Sequence, residues 1–345
     1  MPSTKGDEPN PALTPPIALL NLITGKWIAQ ALYVAAKLGI ADLLKDGAKQ
    51  CDELARANQV DARSLYRVMR ALASVSVFVE VSDRCFGLTP MAECLRSDVP
   101  GSLRSLATMG GEGLFWRPWG DILQSVKTGE PAFDRTFGMG LFEALRQNPG
   151  VADIFNEAMT GWSAQSALAV TSAYDFSAVH TLVDVGGGHG LLSAAILAAN
   201  PRMRAVLFDA PAVINGAKEK IQAAGLSDRC KAVEGDFFAA VPGGGDAYIL
   251  KHIIHDWDDE RAVTILTNCL HAMGKNGKLL VVEMVIPPGN DPFLGKLLDL
   301  EMLVIAGGHE RTAAEYSELY RSSGFHLTKL ISTQSPVSII EGRPE

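Results

Sequence analysis

The sequence predicts an α/β protein: a doubly wound, mostly parallel seven-stranded sheet behind an N-terminal helical, winged-helix-like domain. Three observations lead there. From Thr181 onward, apolar strand-like runs alternate with helix-like stretches to the C-terminus, which is the pattern of βαβ units. Before that, a short helix, a longer helix and two β-like runs follow one another between Cys51 and Leu88. The chain has 345 residues, 47% of them apolar, enough for two domains with cores of their own.

The first third reads as helices. Ile17 to Leu44 carries Leu20, Ile23, Trp27, Ala31, Val34 and Leu38 at helical spacing, with breaks expected near Gly39 and Gly47. Cys51–Ala57 reads as a short helix. Asp61 suits the N-cap of a longer one, with Leu65, Val68, Met69 and Leu72 on one face. FVEVSDRCFGLTP then reads as a hairpin. Arg63, Arg67 and Arg70 on the second helix open a DNA-binding reading, that of a winged-helix regulator. The charge balance of 31 Lys and Arg against 39 Asp and Glu, net −8, gives that reading no general support. A solvated face is expected, with neither nucleic acid nor membrane as partner.

Residues 1–110 are expected to form this first domain and residues 111–165 a set of linking helices. Within the linker, GGEGLFWRPWG reads as a loop and Leu141–Gln147 as a helix. A helix over Val151–Ser166 places Phe155, Met159 and Trp162 at i, i+4 and i+7. Periodicity alone makes that stripe core.

Residues 166–345 hold the sheet. Its strands are expected in HTLVDV, AVLFDAP, KAVEGD, DAYILKH and GKLLVVEMVI, with GFHLTKLIS and PVSIIEG as a closing antiparallel pair. The five cysteines are scattered and include no Cys-x-x-Cys pair. They therefore predict neither a disulfide framework nor a zinc ribbon, and they suit the cytoplasm. The N-terminal MPSTKGDEPNPALTPP reads as a polar leader without a signal core. No unbroken apolar run reaches the ~20 residues of a spanning helix.

The chemistry gathers at strand ends, where ligands of doubly wound sheets bind. Asp184-Val-Gly-Gly-Gly-His-Gly190 follows the first large-domain strand and opens a helix; glycines there let a ligand lie against bare backbone. A dinucleotide fingerprint counted from Gly186 needs glycine at 191, where Leu191 stands. That counts against a nicotinamide-dependent oxidoreductase. Asp209 ends the second strand and suits a ribose diol, or else caps the next helix. Asp236 ends the third, with Phe237 beside it to pack on an adenine. Three acids after three consecutive strands make a nucleoside site. Lys251, His252, His255, Asp256 and Trp257 cluster beyond the fourth strand, ahead of Asp258, Asp259 and Glu260, which read as the cap and first turn of a helix. His255 has the side chain of a general base near neutral pH. No ligand set for a metal is evident.

Together, DVGGGHG, LFDAP, GDFF, LKHIIHDWDDE and GGHERT resemble the class I, S-adenosylmethionine-dependent O-methyltransferases of the plant-caffeate and bacterial natural-product type. The resemblance covers nearly the whole chain, because those enzymes carry an N-terminal winged-helix dimerisation domain. It implies a homodimer, S-adenosyl-L-methionine as cofactor and a small aromatic hydroxyl, phenolic in kind, as substrate. Gly186 and Gly188 would pass the methionine portion of the cofactor, with Asp184 supporting the loop. Asp209 would hold the ribose, Asp236 and Phe237 the adenine, while Lys251 and Trp257 complete the wall. His255 matches the catalytic base, and Glu283 and Glu310 the acids that flank it. Phe155, Met159 and Met302 fall where the family lines its acceptor pocket. Trp162 stands where some plant members carry histidine, so the acceptor should differ from a lignin precursor.

Overall fold

The computed structural model describes residues 14–345; most of the expected leader lies outside the described residues. The backbone divides after Ser97 into two compact units.

The first unit opens with the helix Pro15–Lys37, which stops before Gly39, whose φ of 62° breaks the turn ahead of Ile40–Leu43. Strand β1 (Lys49–Gln50) leads into the helix Cys51–Asn58, and then Ala62–Ser74 follows. Asp61 caps that helix, accepting from the Ser64 N–H at 2.8 Å. Leu65, Met69 and Leu72 are buried, whereas Arg63, Arg67 and Arg70 are exposed. Strands β2 (Phe78–Ser82) and β3 (Cys85–Leu88) form the hairpin, and β1 joins β3 to complete an antiparallel sheet. The first helix leaves Leu20, Leu22, Ile23 and Trp27 exposed. Its 23 residues are long and apolar enough to cross a membrane by length and composition. It contains no unbroken apolar run of that length because Asn21, Thr24 and Lys26 interrupt the stretch.

In the second unit, the segment read as a loop is helical: Arg104–Gly111 and Gly113–Trp119 meet at an extended Glu112. The glycines and Pro118 disfavour helix locally, but burying Phe115 against Phe155, with ring centroids 6.0 Å apart, outweighs that propensity. The helix carrying Phe155 runs from Pro149 to Ala173, longer than expected at both ends.

Strands β4 (Thr181–Val185), β5 (Arg204–Asp209), β6 (Cys230–Glu234), β7 (Ala247–Lys251) and β8 (Lys278–Glu283) are parallel in the order β6-β5-β4-β7-β8. Strands β9 (Phe325–Ser332) and β10 (Ser338–Pro344) extend the sheet as the expected antiparallel pair. The period of two sends Leu182, Ile249, Leu280 and Val282 into one core layer. Val183, Val185, Tyr248, Leu250 and Val281 enter the other. Strand order reverses between β4 and β7, and the crevice at that switch point is the expected ligand site. Asp184, Asp209, Lys251 and Glu283 all lie at or next to the carboxyl ends of their strands.

Candidate active site

The glycine loop after β4 is shaped by close approach. Gly186 has φ of 70°, and a Cβ there would lie 2.4 Å from Ile253 Cδ1. Gly188, with φ of 58°, faces open space, so its backbone is bare to a ligand. Beneath the loop, buried Asp184 accepts from the Ser193 hydroxyl at 2.7 Å; burial lifts its carboxyl to about 6, against that bond. Asp209 accepts from the Gly188 N–H and from the Ala210 N–H, both at 2.7 Å. It does not cap the helix Pro211–Ala223, whose N-cap is Ala210. Each Asp209 oxygen retains a lone pair for a ligand hydroxyl.

Asp236 closes a tight turn onto the Phe238 N–H at 2.8 Å. Phe237 and Phe238 meet Trp257 edge-on, and Phe142 stacks on the same indole at 5.3 Å. Among the described residues buried Trp257 Nε1 finds no hydrogen-bond partner, an arrangement that costs stability unless a ligand accepts from it. Lys251 donates to Ser163 Oγ at 3.0 Å, and burial pushes its ammonium down to about 8, against Glu283 and Asp184.

His255 lies in a single 3-10 turn, Ile254–Asp256, directly after β7. Its Nδ1 sits 2.7 Å from Glu310 Oε1 and 3.5 Å from Glu283 Oε2, while Nε2 is 3.6 Å from Asp256 Oδ1. Burial lowers the imidazole pKa, but Glu283, Asp256 and Glu310 outweigh it and lift the value to about 10. These three carboxyl groups favour the protonated ring over the neutral one. Glu283 flanks it and also holds the chain: Oε1 accepts from the N–H groups of Ile253, Ile254 and His255, and Oε2 from His252 Nδ1 at 3.1 Å.

Two residues here hold positions to which pattern reading gave no role. His252 stands at φ of 54°, rare for a non-glycine. Its Nε2 accepts from Trp162 Nε1 at 3.3 Å, and its ring stacks on His255 at 5.1 Å. Burial and the Lys251 charge hold it neutral, at about 3. The second is Arg311, 1% exposed, which donates to the carbonyls of Ile254, Trp257 and His309 and twice to Asp259. Those five bonds match the five donors of a guanidinium. A charged residue directly after Glu310 was the available signal for it. Possible ligand atoms of His252, His255 and Glu283 lie within 4.8 Å of one another, a grouping that sequence spacing does not reveal because Glu283 comes from the next strand. Asp258 does cap its helix, through the Arg261 N–H.

The helical stripe divides. Phe155 and Met159 pack with Phe115, Trp119, Val304 and Ile305, whereas Trp162 packs on the core layer holding Leu182 and Val282. Buried Met302 opens a π-helical turn, Met302–Ala306, which packs against the His255 turn.

A family profile for an O-methyltransferase domain matches residues 119–326, and one for an O-methyltransferase dimerisation domain matches residues 20–98. The chain belongs to the S-adenosylmethionine-dependent O-methyltransferases. It is 49% identical over 326 residues to the phenazine O-methyltransferase PhzM of Lysobacter antibioticus, covering 94% of this chain and 95% of that one. The crystal structure of LaPhzM superposes with a TM-score of 0.93 at 49% identity, over 95% and 98% of the two chains. The neocarzinostatin-biosynthesis O-methyltransferase NcsB1, solved with S-adenosylmethionine and 2-hydroxy-5-methyl naphthoic acid, matches at 0.81 and 32% identity, over 97% and 100%. This O-methyltransferase uses S-adenosylmethionine. Its bare glycine loop, its strand-end carboxylate with free lone pairs and its unpartnered indole N–H suit a cofactor that has diol, purine and amino-acid parts.

Proposed function

We propose that the methyl acceptor is a phenolic hydroxyl on a flat, fused-ring aromatic and that His255 takes its proton. When bound, S-adenosylmethionine supplies a methyl group on a sulfonium sulfur for transfer to that oxygen. Gly186, Gly188 and Asp184 would frame its amino-acid portion, Asp209 its ribose, and Asp236, Phe237 and Trp257 its adenine. Lys251 would complete that wall.

The observation that carries the reading is the 2.7 Å bond from His255 Nδ1 to Glu310. It fixes Nδ1 as the bonded nitrogen and leaves Nε2 to exchange the proton. A phenol of pKa near 10 facing an ordinary histidine near 6.5 is about 3.5 units uphill, roughly 4.8 kcal/mol. The carboxylates around His255 raise its proton affinity close to that of the phenol, so the transfer itself becomes nearly level. The cost moves to emptying Nε2 beforehand, about 3 units or ~4 kcal/mol at pH 7. Imidazole and carboxylates supply the proton chemistry, so the reading calls for no metal.

The fused-ring class is supported by the relatives, one named for a phenazine and one solved with a naphthoic acid, and by the parallel Phe115–Phe155 pair with Met159 in the same cluster. The dimerisation profile and the exposed apolar face of the first helix support a homodimer, and the free cysteines suit the cytoplasm. Incubating the enzyme with hydroxylated phenazines and naphthalenes and with their amino counterparts tests the acceptor, with methylated product read by mass spectrometry. O-methyl products are expected; methylation of the amines alone would overturn the reading.

A further inference from the structure

An apolar cluster whose π-helical turn touches the His255 turn is bordered by a carboxyl group that the proton chemistry does not use. Three elements pack together there: the helix Gly113–Trp119, the middle of Pro149–Ala173, and the π-helical turn that also touches the His255 turn. Their side chains are Phe115, Phe155, Met159, Val304 and Ile305. Glu301 immediately precedes the π turn and is partly buried. Its Oε2 accepts from Trp119 Nε1 at 2.6 Å, and among the described residues no other hydrogen bond to its carboxyl is found. Trp119 packs in the same cluster as Phe155 and Met159, so its bond sets the carboxyl beside the residues that the resemblance gives to the acceptor pocket.

We propose that Glu301 selects the acceptor, its free oxygen receiving a second O–H or N–H donor of the aromatic, other than the hydroxyl that is methylated. This rests on the aromatic-hydroxyl reading given above and narrows it. A carboxylate set among aromatic and aliphatic side chains is costly unless its lone pairs are used. Pinning the Trp119 indole to this helix needs one neutral acceptor, and glutamine would serve without bringing a charge out of water. A carboxylate accepts only, so a donor on the ligand matches it, while a ligand carboxylate is repelled. Burial raises the Glu301 pKa against the indole bond, which marks the group as poorly solvated. The selected class is therefore a flat phenol bearing a second hydroxyl or an N–H, without an acidic group at that position.

The experiment compares kcat/KM for a dihydroxynaphthalene with that for 1-naphthol, in the wild-type enzyme and in Glu301→Gln and Glu301→Leu. Acceptor Kd values with S-adenosylhomocysteine present and melting temperatures are measured alongside. The wild type should prefer the dihydroxy compound about 10- to 100-fold. Glu301→Leu should erase that preference in both kcat/KM and Kd. Glu301→Gln keeps an acceptor for Trp119 and should retain part of it. A purely structural role would move both acceptors equally and track the melting temperature, which overturns the proposal. If Glu301→Leu does not fold, an unchanged preference in a folded Glu301→Gln overturns it equally. Turnover of both naphthols without preference in the wild type would refute the selection while leaving the O-methyltransferase reading intact. Turnover of neither, with amines accepted instead, would refute that reading itself.

Discussion

The Glu283 carboxylate holds His255 twice: Oε1 accepts its main-chain N–H at 3.4 Å, and Oε2 stands 3.5 Å from its Nδ1. The same Oε1 also takes the two preceding N–H groups. Glu283→Gln should therefore unfold more easily as well as turn over more slowly, because a buried N–H partner is weakened or lost at about 1–3 kcal/mol. His255→Gln should lower turnover ~10²–10⁴-fold and leave cofactor affinity nearly intact. Melting temperature and kcat measured side by side check this. A Glu283→Gln enzyme with wild-type stability would refute the backbone role.

The pH profile follows from the raised pKa of His255. The protonated form dominates below about 10, so kcat/KM on a phenol should climb with pH through the neutral range and break above pH 8. An ordinary histidine would give a plateau above pH 7. Glu310→Gln removes one of the raising charges and should move the break downward even as turnover falls. A flat wild-type profile from pH 7 to 9 would count against His255 as proton acceptor.

Asp209 joins the glycine loop to the end of β5. Replacing it with alanine frees the Gly188 N–H and removes the expected ribose acceptor, at about 1–3 kcal/mol. By that arithmetic, S-adenosylmethionine affinity should fall roughly 5- to 150-fold in a calorimetric titration. An unchanged Kd in a folded variant would leave Asp209 only as a fastener of the loop.

Arg311 clasps the carbonyls of Ile254 and Trp257, on either side of His255. A lysine has three donors on one atom and cannot reproduce this span. Arg311→Lys should lower kcat about tenfold or more with a smaller effect on cofactor Kd. Activity of Arg311→Ala should rise on adding guanidinium at millimolar concentration. A lack of rescue in a folded protein would reduce Arg311 to a purely structural residue.

Assembly is read from the first helix. Leu22 is 79% and Trp27 66% exposed, a patch that a two-fold partner would cover. Light scattering at micromolar concentration should give twice the 36.8 kDa chain mass, and Trp27→Asp with Leu22→Asp should shift it toward the monomer. A monomeric wild type would refute the dimer.

Much of this was legible in the residues. Strand–helix alternation, the Asp61 and Asp258 caps and the antiparallel closing pair depend on local periodicity and capping chemistry, which short stretches carry by themselves. The ordered motifs DVGGGHG, LFDAP, HDW and HERT likewise marked the cofactor and the family. Tertiary structure decided the rest. The segment Gly110–Gly120 is helical because Phe115 buries its ring against Phe155, a gain that local propensity cannot register. The carboxylates that favour a proton on His255, Glu283 28 residues on and Glu310 55 residues on, converge on it. His252, Arg311 and Glu301 are ordinary letters in sequence. Their partners come from distant elements, and a side chain's protonation and hydrogen bonds depend on what folding places within a few ångströms of it.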